Sequence, residues 1–235
     1  MRALLSAALL AFLPFTAQAL EPFNAEYTAD FQQMPVSGNT TRTLQQDGNG
    51  VWKLQLSASM LVATLEEESR LQLQNGRLIP VSYRFERKGL GKNKSMAYDF
   101  DWQNLSVSGH YREKPITLPL KKGLLDRASY QLALQQDVAS GKKNMSYEVL
   151  DNDKISTYEF RVLGTETVNT RVGNINAIHV ERVRDSKTSS RRTELWFAPE
   201  WDYLLVQLMQ RETDGKEYQI TLQKGRVGNK AVAGQ

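Results

Sequence analysis

The chain of 235 residues contains no cysteine and only two histidines, His110 and His179. Without cysteine there is no thiol for nucleophilic catalysis, for a disulfide or for lipid attachment. The scarcity of both residue types also argues against most zinc sites, which take their ligands from them. The phosphate-binding loop, the dinucleotide fingerprint and the G-x-S-x-G elbow are absent as well. We therefore expect a protein that is not an enzyme and that holds neither a cofactor nor a metal.

A strong charge of either sign is also lacking. The 30 basic and 26 acidic side chains give a net charge of only +4, which does not indicate a nucleic-acid partner. Beyond the N-terminus no segment approaches the roughly 20 consecutive apolar residues that a membrane-spanning helix requires. We therefore expect a chain that does not span a membrane.

The N-terminus has the three parts of an export signal. Arg2 supplies the positive charge, residues 3–15 form an apolar stretch, and Ala17-Gln18-Ala19 is a small-x-small cleavage site. The apolar stretch is too short for a membrane anchor. The sequence predicts cleavage after Ala19 and a soluble periplasmic protein. A chain of this size builds a core that needs no disulfides there.

Most of the remaining chain alternates between apolar and polar residues, which is typical of half-buried strands. The first such segment, FNAEYTADF at residues 23–31, alternates without interruption. Asn75-Gly76 is a preferred two-residue hairpin turn, and residues 115–119 are predicted to form an extended bridge. Further strands are predicted over residues 40–46, 51–61, 65–74, 81–85, 96–102, 106–111, 145–150, 155–163, 167–172, 175–183, 193–197, 203–212 and 217–222.

One segment, GLLDRASYQLALQQDVASG at residues 123–141, is predicted to be helical. Asp126 is suited to cap its start by accepting the Ser129 amide, and Gly141 can adopt the left-handed conformation that ends a helix. Its apolar surface is wide, which indicates packing against a curved sheet.

The pattern predicts a mainly β protein, with one large curled antiparallel sheet or half-open barrel and one helix (about 123–140) on its concave side. The alternative is a two-layer sandwich with the helix at one end. The domain is predicted to span residues 20–224, after a signal peptide at 1–19 and before a flexible tail at 225–235.

Three segments carry a family resemblance: FNAEYTADF at the start, ETVNTRVGNINAIHVERV at 166–183 and TELWFAPEWDYLLVQLMQRE at 193–212. With them the chain resembles the exported proteins grouped as domain of unknown function 3108. The resemblance covers nearly the whole mature chain, and one departure is Leu205, where the family favours proline. It implies a periplasmic, strand-rich domain and supplies no catalytic residues.

Isolated polar residues have structural interpretations. Glu67 shares a strand face with Leu65 and Leu71. A lone carboxylate there would have a raised pKa suited to acid catalysis, but we favour a strand end or an arginine partner. His179 lies between Ile178 and Val180, and we expect it at the surface.

Two sets of residues are candidates for a binding site. Basic residues at turns would form its rim: Lys88, Lys92, Lys121 and Lys122. Apolar and aromatic residues on the inner face would line a pocket beneath the helix: Tyr27, Trp52, Leu56, Tyr83, Phe85, Tyr98, Leu132 and Trp196.

The sequence leaves two classes of function open. The first is a non-enzymatic periplasmic binding or carrier module for an apolar or amphipathic envelope ligand, either lipid-like or anionic. The second is an interaction or assembly protein with a solid core, which contacts an envelope protein through loops or a sheet edge. The two differ in whether the space beneath the helix is empty or filled by side chains.

Overall fold

The computed structural model describes residues 20–31, 38–60, 63–89, 93–184 and 190–235. These residues form one helix, α1 (Ser129–Ala139), and a sheet of sixteen strands. A single 3-10 turn, Pro199–Trp201, precedes β14. The strands are β1 (Phe23–Phe31), β2 (Gly38–Gln46), β3 (Val51–Met60), β4 (Ala63–Gln74), β5 (Arg77–Gly89), β6 (Lys94–Asp101), β7 (Ser106–Tyr111), β8 (Lys114–Pro119), β9 (Leu125–Asp126), β10 (Asn144–Asp151), β11 (Lys154–Thr170), β12 (Gly173–Val183), β13 (Arg192–Ala198), β14 (Leu204–Arg211), β15 (Glu217–Val227) and β16 (Lys230–Ala231).

The sheet consists of two meanders joined side by side. Strands β1 to β8 pair in sequence order, as do β10 to β15, and antiparallel pairing of β1 with β15 connects the two sets. The sheet curls but does not close, and β8 and β9 are its two ends. The predicted fold class is therefore confirmed.

Helix α1 packs inside the curled sheet and contacts both meanders. It contacts β5 of the first meander and β9 and β10 of the second. On the second side the Tyr130 ring lies 5.2 Å from the Tyr158 ring and 5.7 Å from the Phe160 ring. Leu132 and Leu134 have no solvent exposure, because the sheet surrounds the helix. Among the residues described, no helix is long and apolar enough to cross a membrane.

The start of the helix differs from the prediction in position but not in interaction. The Asp126 carboxylate accepts the amide hydrogens of Ala128 and Ser129, each at 2.8 Å. Asp126 itself belongs to β9, which pairs in parallel with β10, so the helix begins three residues later. Gly141 has a φ of 83°, the left-handed conformation expected at the end of the helix.

Two other predicted boundaries are corrected by strand pairing. Residues 154–170 form one strand rather than two, because a bulge between Val162 and Gly164 accommodates the glycine without interrupting the ladder. The predicted bridge at 115–119 is the edge strand β8, whose exposed position tolerates Pro115 and Pro119.

The prediction of a flexible tail at residues 225–235 is wrong. Strand β15 continues through Val227 and pairs with β16. The amide of Gln235 donates to the carbonyl of Asn174 at 2.9 Å, and Val232 is buried. These backbone hydrogen bonds fix the end of the chain, so the domain does not stop at residue 224. The predicted signal peptide, residues 1–19, lies outside the described residues.

Candidate functional site

Strand register separates an inner face of the sheet, which points toward α1, from an outer face. Directly paired residues on neighbouring strands share a face, and the pairs of Arg42 with Leu56 and of Leu56 with Glu67 lie on the inner one. At one end of the sheet the inner-facing residues are buried: Phe23, Leu44, Trp52, Leu71 and Phe100. At the opposite end they are only half-buried: Leu56, Ala58, Leu65, Leu208 and Ile220.

We call this second end, where β6 begins at Lys94 and β12 ends at Val183, the basic end. The inner surface there is accessible because the helix does not extend over it. The basic side chains at or near it include Arg42, Lys94, Arg127, Arg182, Arg184 and Arg191.

Arg42 lies at the floor of the basic end and is only 2% exposed. Its guanidinium carbon lies 5.2 Å from the centre of the Phe23 ring, and its Nη1 has no hydrogen-bond partner among the described residues. Burial lowers the pKa of Arg42, while Tyr27 and Glu67 oppose that effect. The adjoining cleft, about 190 Å³ including its mouth, is too narrow for a water molecule; it is lined by Arg42, Leu54, Leu56, Glu67, Ala128 and Gln131.

Glu67 has a different partner from the one expected. The hydroxyl of Tyr83 donates a hydrogen bond to its Oε1 at 2.5 Å. Burial, followed by the negative charge of Glu67, raises the pKa of Tyr83 well above its usual value. Glu67 therefore anchors a buried tyrosine rather than standing alone on an apolar face.

Asp126 is a fully buried carboxylate that connects β4 to the helix. Besides the two amides of the helix start, it accepts a hydrogen bond from Ser69 Oγ at 2.6 Å. Burial raises its pKa to about 6, although these hydrogen bonds favour the ionised form. The side chain thus holds the helix against the sheet beneath the basic end.

On one side of the basic end, the two meanders meet through polar contacts to the turn between β10 and β11. Lys94 Nζ donates to Asn152 Oδ1 at 2.7 Å, and the Tyr98 hydroxyl donates to the Asn152 carbonyl. Arg127 lies 3.7 Å from Asp151. Burial, together with the charge of Arg127, lowers the pKa of Lys94 to about 8. These contacts join strands that are far apart in the sheet order.

On the other side, Arg182 of β12 lies close to Arg184, which follows β12, and to Arg191, which precedes β13. Arg182 places its guanidinium carbon 3.2 Å from the centre of the Tyr158 ring. Arg184 donates to Thr193 Oγ1 at 3.2 Å and to the Arg191 carbonyl at 3.3 Å. Burial, followed by the charges of Arg182 and Arg191, lowers the pKa of Arg184 to about 10.

The predicted pocket residues form part of a packed interior. Tyr83 and Tyr98 stack with ring centres 5.5 Å apart. Leu56 alone of the eight is half-buried, and it belongs to the basic end. The other seven are buried: Tyr27, Trp52, Tyr83, Phe85, Tyr98, Leu132 and Trp196.

Trp196 lies apart from the rest, because it faces away from its inner-facing neighbour Leu195. It stacks on His179 at 4.3 Å and donates from Nε1 to Glu166 Oε2 at 3.0 Å. His179 Nδ1 lies 2.8 Å from Glu166 Oε1. The expectation of a surface histidine is therefore wrong, since the indole ring covers the imidazole.

The structure does not bring the predicted basic rim together. Lys88 is exposed near the start of β6 and pairs with Glu86 at 2.9 Å. Lys121 and Lys122 follow β8 at the opposite end, where Leu120 bonds to Leu105. Lys92 lies outside the described residues.

Arg182 and Arg184 are not among the site residues predicted from the sequence, although a signal was present. Val180, Arg182 and Arg184 recur with a period of two, which places both arginines on the face of a buried valine. A charged residue at one of the alternating positions that are otherwise apolar indicates either the end of a strand or a polar site on its buried face.

A solved structure shares the fold. The crystal structure of a beta-barrel-like protein of domain of unknown function DUF1849 from Brucella abortus matches with a TM-score of 0.59 at 11% identity; the match covers 88% of this chain and 98% of that chain. At this identity the likeness concerns the fold alone. The comparison with curated proteins gave no match.

The family model described as "Protein of unknown function (DUF3108)" matches residues 26–223. The matched range extends from β1 into β15 and includes α1 and the inner face of the basic end. It agrees with the family that the sequence resembles. The chain belongs to the DUF3108 family.

Proposed function

We propose that this protein is a non-enzymatic periplasmic binding module that holds an amphipathic, anionic ligand of the cell envelope at the basic end. The observation that carries the proposal is the half-buried apolar inner surface there, flanked by arginines on two sides. Such a surface matches a molecule with an apolar part and a negative charge.

The energetics support an open groove for the apolar part. Each methylene group removed from water contributes about 0.8 kcal/mol, so contact with a chain of about ten carbons outweighs a moderate cost of association. Leu56, Leu65, Leu208 and Ile220 offer this contact without any rearrangement of the core.

The site differs from an enclosed pocket beneath the helix. Of two clefts lined by described residues, one adjoins Arg42 and admits no water. The other holds about 190 Å³ and is lined mainly by polar residues near Asn174. Ligand cavities usually exceed about 300 Å³. The ligand would therefore lie on the inner surface of the basic end, beside the start of the helix.

The filled interior favours a second candidate, an assembly protein that works through a sheet edge. Strand β8 pairs only with β7, and its residues are exposed or half-buried. A partner strand could add to this edge by backbone hydrogen bonding. A photo-crosslinker at the exposed Thr117 would capture an envelope protein in that case.

The test of the first function is titration with a dansyl-labelled undecanoate, followed by fluorescence. The variant Ile220→Asn makes the inner surface polar, while Thr221→Asn changes the outer face of the same strand and is the matched control. We expect wild type and Thr221→Asn to bind alike, and Ile220→Asn to bind at least fivefold more weakly. Absence of binding by wild type, together with no lipid adduct in native mass spectrometry of periplasmic protein, would refute the proposal.

A further inference from the structure

Arg182 in β12 and Arg184, one residue beyond its end, alternate in sequence with the buried Val180 and face the space above the helix start. The pairing of Val180 with Leu195 and of Arg182 with Phe160 places Arg182 on the inner face. Arg184 points to the same side, because it donates to the buried Thr193. The first turn of α1 contributes Tyr130, whose ring lies 5.2 Å from that of Tyr158. The two guanidinium groups therefore share one concave surface with two phenols.

Donors at this surface exceed acceptors. Arg182 Nε is buried and has no hydrogen-bond partner among the described residues. Arg184 uses two nitrogens on a single hydroxyl, that of Thr193, at 3.2 Å each. The Tyr130 hydroxyl makes no hydrogen bond within the described part of the chain.

The charges at this surface are also unbalanced. Its third arginine, Arg191, lies 2.5 Å from Glu212. The groups facing Arg184 are Tyr158 of β11, Tyr130 of α1 and Arg191, which precedes β13. Neither Arg182 nor Arg184 has a carboxylate within 4 Å in the described residues. The Tyr158 hydroxyl donates to Asp151 at 2.7 Å, and the charge of Asp151 is balanced by Arg127 at 3.7 Å. Among the described residues, three arginines and one glutamate therefore leave a net charge of +2. Like charges this close repel each other unless an anion joins them.

We propose that Arg182 and Arg184, with the Tyr130 hydroxyl, form a binding site for a phosphate group. Guanidinium groups present paired N–H donors that match the oxygens of a phosphate. The charge of a phosphate monoester, about −1.5 to −2 at pH 7, balances the local +2, whereas one carboxylate balances half of it. This proposal rests on the proposed function, because it assigns the headgroup chemistry of the amphipathic ligand.

The experiment compares dodecyl phosphate, dodecanoate, neutral dodecanol and inorganic phosphate as competitors of dansyl-labelled undecanoate. The variants Arg182→Gln and Arg184→Gln remove one charge each and keep a long polar side chain. Arg192→Gln removes the same charge from the outer face of β13, next to Thr193, and is the matched control. Circular dichroism and thermal unfolding establish that each variant folds.

We expect dodecyl phosphate to bind at least tenfold more tightly than dodecanol, and this preference to shrink as salt rises from about 50 to 500 mM. Each inner variant should lower the affinity for dodecyl phosphate about tenfold and leave dodecanol binding unchanged. Arg192→Gln should match wild type.

The outcomes separate the two proposals. Equal binding of dodecyl phosphate and dodecanol, unchanged in both inner variants, overturns the phosphate site and leaves the amphiphile-binding function standing. Inorganic phosphate that binds as tightly as dodecyl phosphate, and is lost in Arg184→Gln, supports the phosphate site but identifies free phosphate as its ligand. Absence of binding by every probe overturns both.

Discussion

At the scale of single residues, Asp126 shows how one buried carboxylate connects sheet and helix. It accepts hydrogen bonds from Ser69, Ala128 and Ser129 and has no exposure. Three donors do not fully replace water around a buried charge, so its pKa rises from 3.8 to about 6. Stability should therefore depend on pH through this side chain.

The sign of the dependence follows from which state binds the proton. Between pH of about 4 and 6 the folded state keeps a proton that the unfolded chain has lost, so the free energy of unfolding falls as pH rises. The shift in the pKa of Asp126 corresponds to about 3 kcal/mol in the free energy of unfolding, and this contribution is lost by pH 7. Asp126→Asn does not titrate, so its stability relative to wild type should rise by about that amount from pH 4 to pH 7.

Urea unfolding at four pH values between 4 and 7 measures this difference. Asp30→Asn, an exposed position on β1, is the control and should run parallel to wild type. Parallel curves for Asp126→Asn as well would show that this carboxylate is ionised throughout the range.

At the scale of elements, the helix is held by burial more than by its own preferences. It has 11 residues, a length at which an isolated helix is marginal in water. Leu132, which has no exposure, fixes it within the sheet. Its packing therefore decides whether the interior stays closed.

We expect Leu132→Ala to lower the free energy of unfolding by about 2–5 kcal/mol, because it leaves a cavity in a packed core. Gln136→Ala, a half-buried position on the same helix, should change it by less than about 1 kcal/mol. Chemical denaturation measures both. A loss below about 0.5 kcal/mol for Leu132→Ala would mean that the helix is peripheral.

Elements with a clear period were predictable, and those decided by tertiary pairing were not. The alternation of FNAEYTADF gives the observed bounds of β1. By contrast, β9 is a two-residue strand fixed only by its pairing with β10, and no local pattern reveals it. Gly164 resembles a strand break in sequence, yet it stays within β11 because it pairs with His179, while the bulge leaves only Leu163 without a partner in β12.

At the scale of the molecule, the site was harder to predict than the fold. Tyr27, Trp52, Tyr83, Phe85 and Tyr98 lie in the interior, whereas Trp196 packs against His179 on the outer face. Alternation also does not reveal where along a strand the interior ends. That boundary depends on the length and position of the helix, which separates buried Leu54 from half-buried Leu56. Strand direction decides which basic residues lie at the same end of the sheet. The direction of each strand is known only once the complete topology is known.

The predicted location concerns the whole chain. Export with cleavage after Ala19 should give a periplasmic protein that begins at Leu20. Intact-mass spectrometry of a periplasmic extract measures this directly, and substitution of Ala19 by a bulky residue such as arginine should leave the uncleaved precursor. Recovery of a chain that begins at Met1, or retention in membranes after a salt wash, would contradict it.

The antiparallel pairing of β1 with β15, which we call the seam of the sheet, has a consequence for how the chain folds. Phe23 pairs with Val227, so the middle of the sheet joins residues 204 positions apart. Hairpins of the first meander form from local contacts, whereas the seam forms only when β15, the last long strand, is available to pair with β1. Contacts so distant in sequence slow folding because a very long loop closes first. A chain that crosses a membrane from its N-terminus would complete this fold only once almost all of it has emerged, so the end of translocation and the completion of folding would coincide.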